Sequence, residues 1–236
     1  MRPAPIPEPA RASLMGRLDD LLGSAAHAVR ATRDELFPAD PSAPARSRQQ
    51  TLQTLLAAHP DLDGLGTALT HDAEQGDGEV EWYVIDSGHT LRRFVETRPS
   101  VAGYVDFRTM EWFRRPLETG RLEVVGPYVD SLRNDQYTIT TALPVRVPGT
   151  TGVLVADLLV ARLERELLPG MLGFAGSLGR PVLLVDDEWR VVLSTSSRMR
   201  CGSLLEASGP PSADEPADKP STPFRLIAPH RFEGTG

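Results

Sequence analysis

The stretch at residues 103–158, GYVDFRTMEWFRRPLETGRLEVVGPYVDSLRNDQYTITTALPVRVPGTTGVLVADL, decides how this chain folds. Residues 109–118 read as a short helix, with Gly120 placed to cap its C-terminus in the left-handed conformation. Apolar, β-branched runs at 122–125, 137–147 and 153–160 read as strands, and Pro148-Gly149 between the last two has hairpin-turn chemistry. Pro127-Tyr128 reads as a further turn. Arg108, Trp112, Phe113, Tyr128, Tyr137 and Asp157 set aromatic groups beside charges of both signs. Such a lining suits a small polar organic molecule better than a metal ion or a phosphate.

Asp157 makes the sharpest contrast, because it interrupts GVLVADLLV, a strand apolar enough to be buried on both faces. A buried carboxylate without a partner costs several kcal/mol, so this one must meet a cation, several donors or a ligand. An ion pair to Arg108 or Arg146 is the structural alternative to a ligand. Trp112 and Phe113 stand between Glu111 and Arg114-Arg115, in a segment too polar for a plain core helix. Trp82 and Tyr83 are neighbours on a strand, so their side chains point to opposite faces and at least one can serve as core.

Outward from this stretch, residues 64–70, 80–85 and 90–97 read as three more strands separated by acidic, glycine-rich turns. Apolar residues recur at helical spacing over 10–37 (Leu14, Leu18, Leu21, Leu22, Ala25, Val29, Leu36), and a second helix carries Leu52, Leu55 and Leu56 to a stop at His59-Pro60. The leucine stripe of the first helix can pack on its own sheet or form the seam of a homodimer. Toward the C-terminus a helix is expected over 161–172, a strand pair at 181–186 and 190–196, and a strand at 224–228 that returns to the sheet. Helices first, an antiparallel sheet in the middle and helices on its faces make an α+β layered domain. The expected division is a disordered leader at 1–9, one main domain at 10–205, a flexible loop at 206–223 and a C-terminal strand and tail at 224–236.

Composition excludes several classes. The 236 residues are 40% hydrophobic and carry a net charge of -7 with acidic and basic residues interspersed, so no basic face emerges to bind nucleic acid directly. The prolines near the N-terminus break up what a secretory signal would need as an apolar core, and no stretch approaches the roughly 20 apolar residues of a membrane span. A soluble, cytoplasmic protein is the expectation. The single cysteine, Cys201, reads as a small packing or surface residue. The five histidines show neither HxxxH nor HxH spacing, which speaks against a histidine metal site. No nucleophile elbow, phosphate loop or dinucleotide fingerprint is present, and Gly64-Leu65-Gly66 carries no weight as one. No cofactor and no catalytic residues are expected.

The segments DFRTMEWF, VGPYVD, DQYTITTALPV and GVLVADL, followed by PVLLVDDEWRVVLSTS, occur in the order found in the Cache (PDC-like) sensory domains, which this chain resembles over most of its length. The resemblance implies an extended PAS-like fold and a function in sensing small molecules. In amino-acid-binding members an Arg and an aromatic pair on the short helix hold the ligand carboxylate, a Tyr follows, and an Asp on the far strand receives the ammonium. Trp112 and Phe113 match the aromatic pair, Phe standing where Tyr is usual; Tyr128 matches the tyrosine and Asp157 the ammonium-binding Asp. Met110 stands where the Arg is expected, with Arg108 two positions earlier. Trp82 and Asp130 complete the candidate ligand-binding set.

The chain is similar to free-standing actinobacterial Cache-like proteins. Its signal would pass through a homodimer or a separate output protein such as a transcriptional regulator. The leading expectation is therefore a soluble sensor of an amine, amino acid or carboxylate. The alternatives are a regulatory scaffold whose pocket is filled by its own side chains and, weakest, an enzyme on a PAS-like fold.

Overall fold

The computed structural model describes residues 6–38, 47–71, 78–86, 88–93, 106–130, 135–205 and 223–229. Parts of the expected leader (1–5), third strand (94–97), flexible loop (206–222) and C-terminal tail (230–236) lie outside the described residues. The first helix, α1 (Glu8–Leu36), begins inside the expected leader. Pro9 is compatible with that start, because the first turn has no intrahelical use for the N–H that proline lacks. Leu18, Leu21, Leu22, Ala25, Ala28 and Val29, spaced three and four apart, are all buried. The leucines that a dimer seam would need are thus packed within the chain. A second helix, α2 (Arg48–Ala58), buries Leu52, Leu55 and Leu56 and ends at His59.

Six strands follow the pattern of β-branched runs: β1 (Gly64–His71), β2 (Gly78–Asp86), β3 (His89–Arg93), β4 (Glu123–Asp130), β5 (Gln136–Val147) and β6 (Thr150–Leu159). They form one sheet in the order β3-β2-β1-β6-β5-β4, and the pairings from β3 through to β5 are antiparallel. Strands β1 and β6 sit centrally, which is why their side chains are apolar on both faces. Their backbones approach so closely that a Cβ on Gly152 would overlap the Ala68 carbonyl. The expected turn at Pro127-Tyr128 is instead part of β4, with Gly126-Pro127 in the cis form. An edge strand tolerates proline because the missing N–H removes no bond between paired strands. A short 3-10 turn (Phe107–Thr109) and helix α3 (Glu111–Thr119) stand between β3 and β4, with Gly120 at φ 68° as the expected cap.

The remainder holds α4 (Val160–Leu178) and a three-stranded sheet of β7 (Leu183–Val185), β8 (Val191–Ser194) and β9 (Arg225–Ile227), in the order β8-β7-β9. Helix α4 runs six residues past its expected end. The residue that stops it is Gly179, in the left-handed region at φ 63°. The strand expected to return to the large sheet, β9, pairs with β7 instead. Two compact units result: Met1–Asp20, Gly126–Val129 and Val160–Gly236 form one, Leu21–Val125 and Asp130–Leu159 the other. In the first, Arg17 bonds Glu166 of α4 through Nε and Nη2 at 3.1 and 2.8 Å, and Leu14 lies against Gly170. The architecture is α+β, and no helix among the described residues is long and apolar enough to cross a membrane.

Candidate functional site

The sheet's two-residue alternation assembles the site within the larger unit. Trp82 of β2 pairs with Gly66 of β1, while Gly64, on the same face as Gly66, pairs with Asp157 of β6, which in turn pairs with Thr140 of β5. One row of residues therefore crosses four strands on a single face. The Trp82 indole lies across β1 and donates from Nε1 to Asp157 Oδ2 at 2.9 Å. Thr140 Oγ1 donates to Asp157 Oδ1 at 2.7 Å. Asp157 is 0% exposed and Trp82 4% exposed, so both bonds are shielded from water.

Two glycines make the indole's path possible. A Cβ on Gly64 would come within 3.0 Å of Asp157 Oδ2 and 3.2 Å of Trp82 Nε1, and one on Gly66 within 2.8 Å of the Glu81 carbonyl and 2.9 Å of the indole. A side chain at Gly66 would force the indole or the Glu81 backbone to shift, and one at Gly64 would press on Asp157 and the indole N–H. Gly66→Ala is accordingly expected to lower the melting temperature by roughly 2 to 12 °C, the cost of overpacking a core site. The same change should shift the tryptophan emission as the indole moves. An unchanged spectrum and melting curve would show that the path across β1 is not constrained.

Aromatic rings cover this row. Trp112 meets Trp82 edge-on, with ring centroids 5.3 Å apart at 88°, and Phe107 meets Phe113 edge-on at 5.0 Å. Phe107 also lies against Gly78, where a Cβ would overlap its ring. Both Trp112 and Phe113 are buried, and the charges that made this segment look too polar for a core helix pair with one another around α3: Arg114 with Glu118 and Arg115 with Glu111, each at 3.3 Å. Tyr83 points to the opposite face, as strand alternation requires. Its hydroxyl donates to Glu81 at 2.9 Å, and burial with that neighbour pushes its pKa up to about 12.

The structure thus brings together Trp82, Trp112, Phe113 and Asp157. Arg108 has its guanidinium on the carboxylate of Asp106, at 2.7 Å from Nε and 3.1 Å from Nη2. Arg146 reaches the Leu117 carbonyl. Tyr137, at the start of β5, is exposed and alternates to the face opposite Thr140, which takes it away from Asp157. Asp130 is buried at the end of β4, and Tyr128 belongs to the smaller unit. Sequence reasoning missed Thr140, Phe107 and the two glycines. The alternation Gly64-Leu65-Gly66 was their signal: on a central strand it marks a groove in one face.

Among the described residues no three metal-ligating side chains gather, and burial pushes the Cys201 thiol up to about 12, which keeps it protonated at neutral pH.

No family model matches the chain, and no curated protein matches it. Its fold does match solved structures. The extracellular domain of a putative histidine kinase aligns with a TM-score of 0.59 at 19% identity, over 78% of this chain and 68% of that one. The ligand-binding domain of a Pseudomonas aeruginosa amino acid chemoreceptor in complex with GABA gives 0.52 at 20% identity, over 80% and 74%. That of a Campylobacter jejuni chemoreceptor in complex with L-norvaline gives 0.53 at 15% identity, over 80% and 67%. The chain has the fold of the Cache (PDC-like) sensory domains.

Proposed function

We propose that this chain is a ligand-binding sensory domain for a small organic molecule bearing an amine, that it performs no chemistry on that molecule, and that it signals through a partner or an oligomer. The observation that carries this reading is Asp157, a fully buried carboxylate on the sheet face beneath Trp112 and Phe113. Its two oxygens accept from the Trp82 indole and the Thr140 hydroxyl. An ammonium group is the natural complement to a carboxylate set among aromatic faces, which add cation-π attraction. Two structures of the same fold were solved with GABA and with L-norvaline, each carrying an amine.

Carboxylate recognition has weaker support. Met110 occupies the place of the arginine that resemblance to amino-acid-binding members implies, and Arg108 is engaged by Asp106. Amines therefore rank ahead of amino acids as ligands. One observation favours the second reading, a scaffold with a self-filled pocket: the Trp82 N–H already occupies one oxygen of Asp157.

A thermal-shift panel of biogenic amines, polyamines, amino acids and short carboxylates separates the two. A ligand that binds only the folded state stabilises it by about 2.7 kcal/mol at a hundredfold excess over its Kd. For a chain of this size that is a rise of roughly 5 to 10 °C. At least one amine-bearing compound should give it. Asp157→Asn, which retains size and one acceptor, should weaken that compound about ten- to a hundredfold. A panel without hits favours the scaffold, and a hit whose affinity survives in Asp157→Asn places the ligand elsewhere.

A further inference from the structure

We infer that His27 and His59 form a surface site for a borderline transition-metal ion such as Zn2+ or Ni2+, separate from the aromatic site. Thirty-two positions apart in sequence, the two imidazoles stand with ring centroids 5.4 Å apart and planes tilted by 53°. With metal–nitrogen bonds of about 2.0–2.1 Å and nitrogens about 1.1 Å from the ring centre, two imidazoles on one tetrahedral ion have centroids about 5 Å apart. The observed spacing is close to that, within reach of a small side-chain adjustment.

The tautomer of His59 also favours coordination. Its Nδ1 lies 2.8 Å from the Leu55 carbonyl oxygen, which can only accept, so in the neutral ring Nδ1 carries the proton and Nε2 is the nitrogen available to a metal. A ligating histidine anchored by a backbone carbonyl on its other nitrogen is the usual arrangement in metal sites. The supports are firm on both sides: Ala28 and Val29 beside His27 are fully buried, as is Leu62 after His59, and Leu56 is nearly so. His27 is exposed and His59 half-buried, so solvent or a chelating small molecule can complete the coordination shell. Two imidazoles without a carboxylate select Zn2+, Ni2+ or Cu2+ over Ca2+ and Mg2+, which require oxygen ligands.

The test uses the full chain, free of any affinity tag and stripped of metal, titrated by calorimetry with ZnCl2, NiCl2 and CaCl2. One Zn2+ or Ni2+ per chain should bind, and Ca2+ should give no heat. His27→Ala and His59→Ala should each weaken Zn2+ by at least about tenfold, by comparison with losses seen even for supporting residues around a metal. His89→Ala, on strand β3, should leave binding unchanged. In the Cu2+-loaded protein, electron paramagnetic resonance should count two coupled imidazole nitrogens, and one fewer in either variant. Absence of Zn2+ and Ni2+ binding, an affinity unchanged from the parent protein in either variant, or a nitrogen count that neither variant lowers would each overturn the site.

Discussion

Leu21→Glu is expected to unfold the protein, and not to yield a folded monomer. Leu21 is 1% exposed in the isolated chain and lies in the buried stripe of α1 with Leu22, Ala25, Ala28 and Val29. Truncating such a leucine alone costs about 2 to 5 kcal/mol, and a carboxylate in its place adds the cost of burying an unpaired polar group, about 1 to 3 kcal/mol even when it protonates. The sum approaches the roughly 5 to 15 kcal/mol that holds a whole domain together. Circular dichroism should therefore report lost helix, or a melting temperature lower by at least about 6 °C, reckoned at 2 °C per kcal/mol. Light scattering of the same sample decides between two roles for the stripe. A seam between copies would give a well-folded monomer with an unchanged melting curve, and that outcome would mean the burial of Leu21 contributes nothing to the fold.

The sequence carried the order of elements because its signals there are periodic. Leucines three and four apart place α1 and α2, alternating or continuous β-branched runs place β1, β2, β5 and β6, and Gly120 ends α3 as its position suggests. Local chemistry misled where more than one outcome is allowed. Pro127 looks like a turn residue yet sits in the edge strand β4, and α4, expected to end at residue 172, continues to Leu178.

The candidate site was legible in part for a related reason. Asp157 and the pair Trp112-Phe113 stand out by contrast with their neighbours, and contrast survives in one dimension. Register does not. That Trp82 reaches Asp157 depends on which residues face one another across three strands, and on Gly64 and Gly66 both lying on the intervening one. The same limit hid the pairing of His27 with His59, since helix-spacing motifs detect only ligands on one element.

The bond between Trp82 and Asp157 leads to the remaining expected result, measured on the protein without ligand. Taken alone, a buried carboxylate is a burden, and its removal should stabilise the fold. Here its removal also strands the Trp82 N–H, and a buried donor without a partner costs about 1 to 3 kcal/mol. The Thr140 hydroxyl can rotate to another acceptor, whereas the indole cannot without leaving its glycine-lined path. Asp157→Ala should therefore lower the melting temperature, by roughly 2 to 12 °C. Trp82→Phe removes the donor and leaves the carboxylate, and it too should destabilise. If the hydrogen bond is the reason, Trp82→Phe will cost less when Asp157 is already alanine, with a coupling of about 0.5 to 3 kcal/mol in a double-mutant cycle. Additive losses would mean that each residue contributes through packing alone and that no energetic bond links them. A clear coupling would give the amine pocket a built-in competitor: a ligand ammonium reaching Asp157 must share it with, or displace, the Trp82 N–H. In that case Trp82→Phe should lose stability when empty yet bind an amine at least as well as the parent protein.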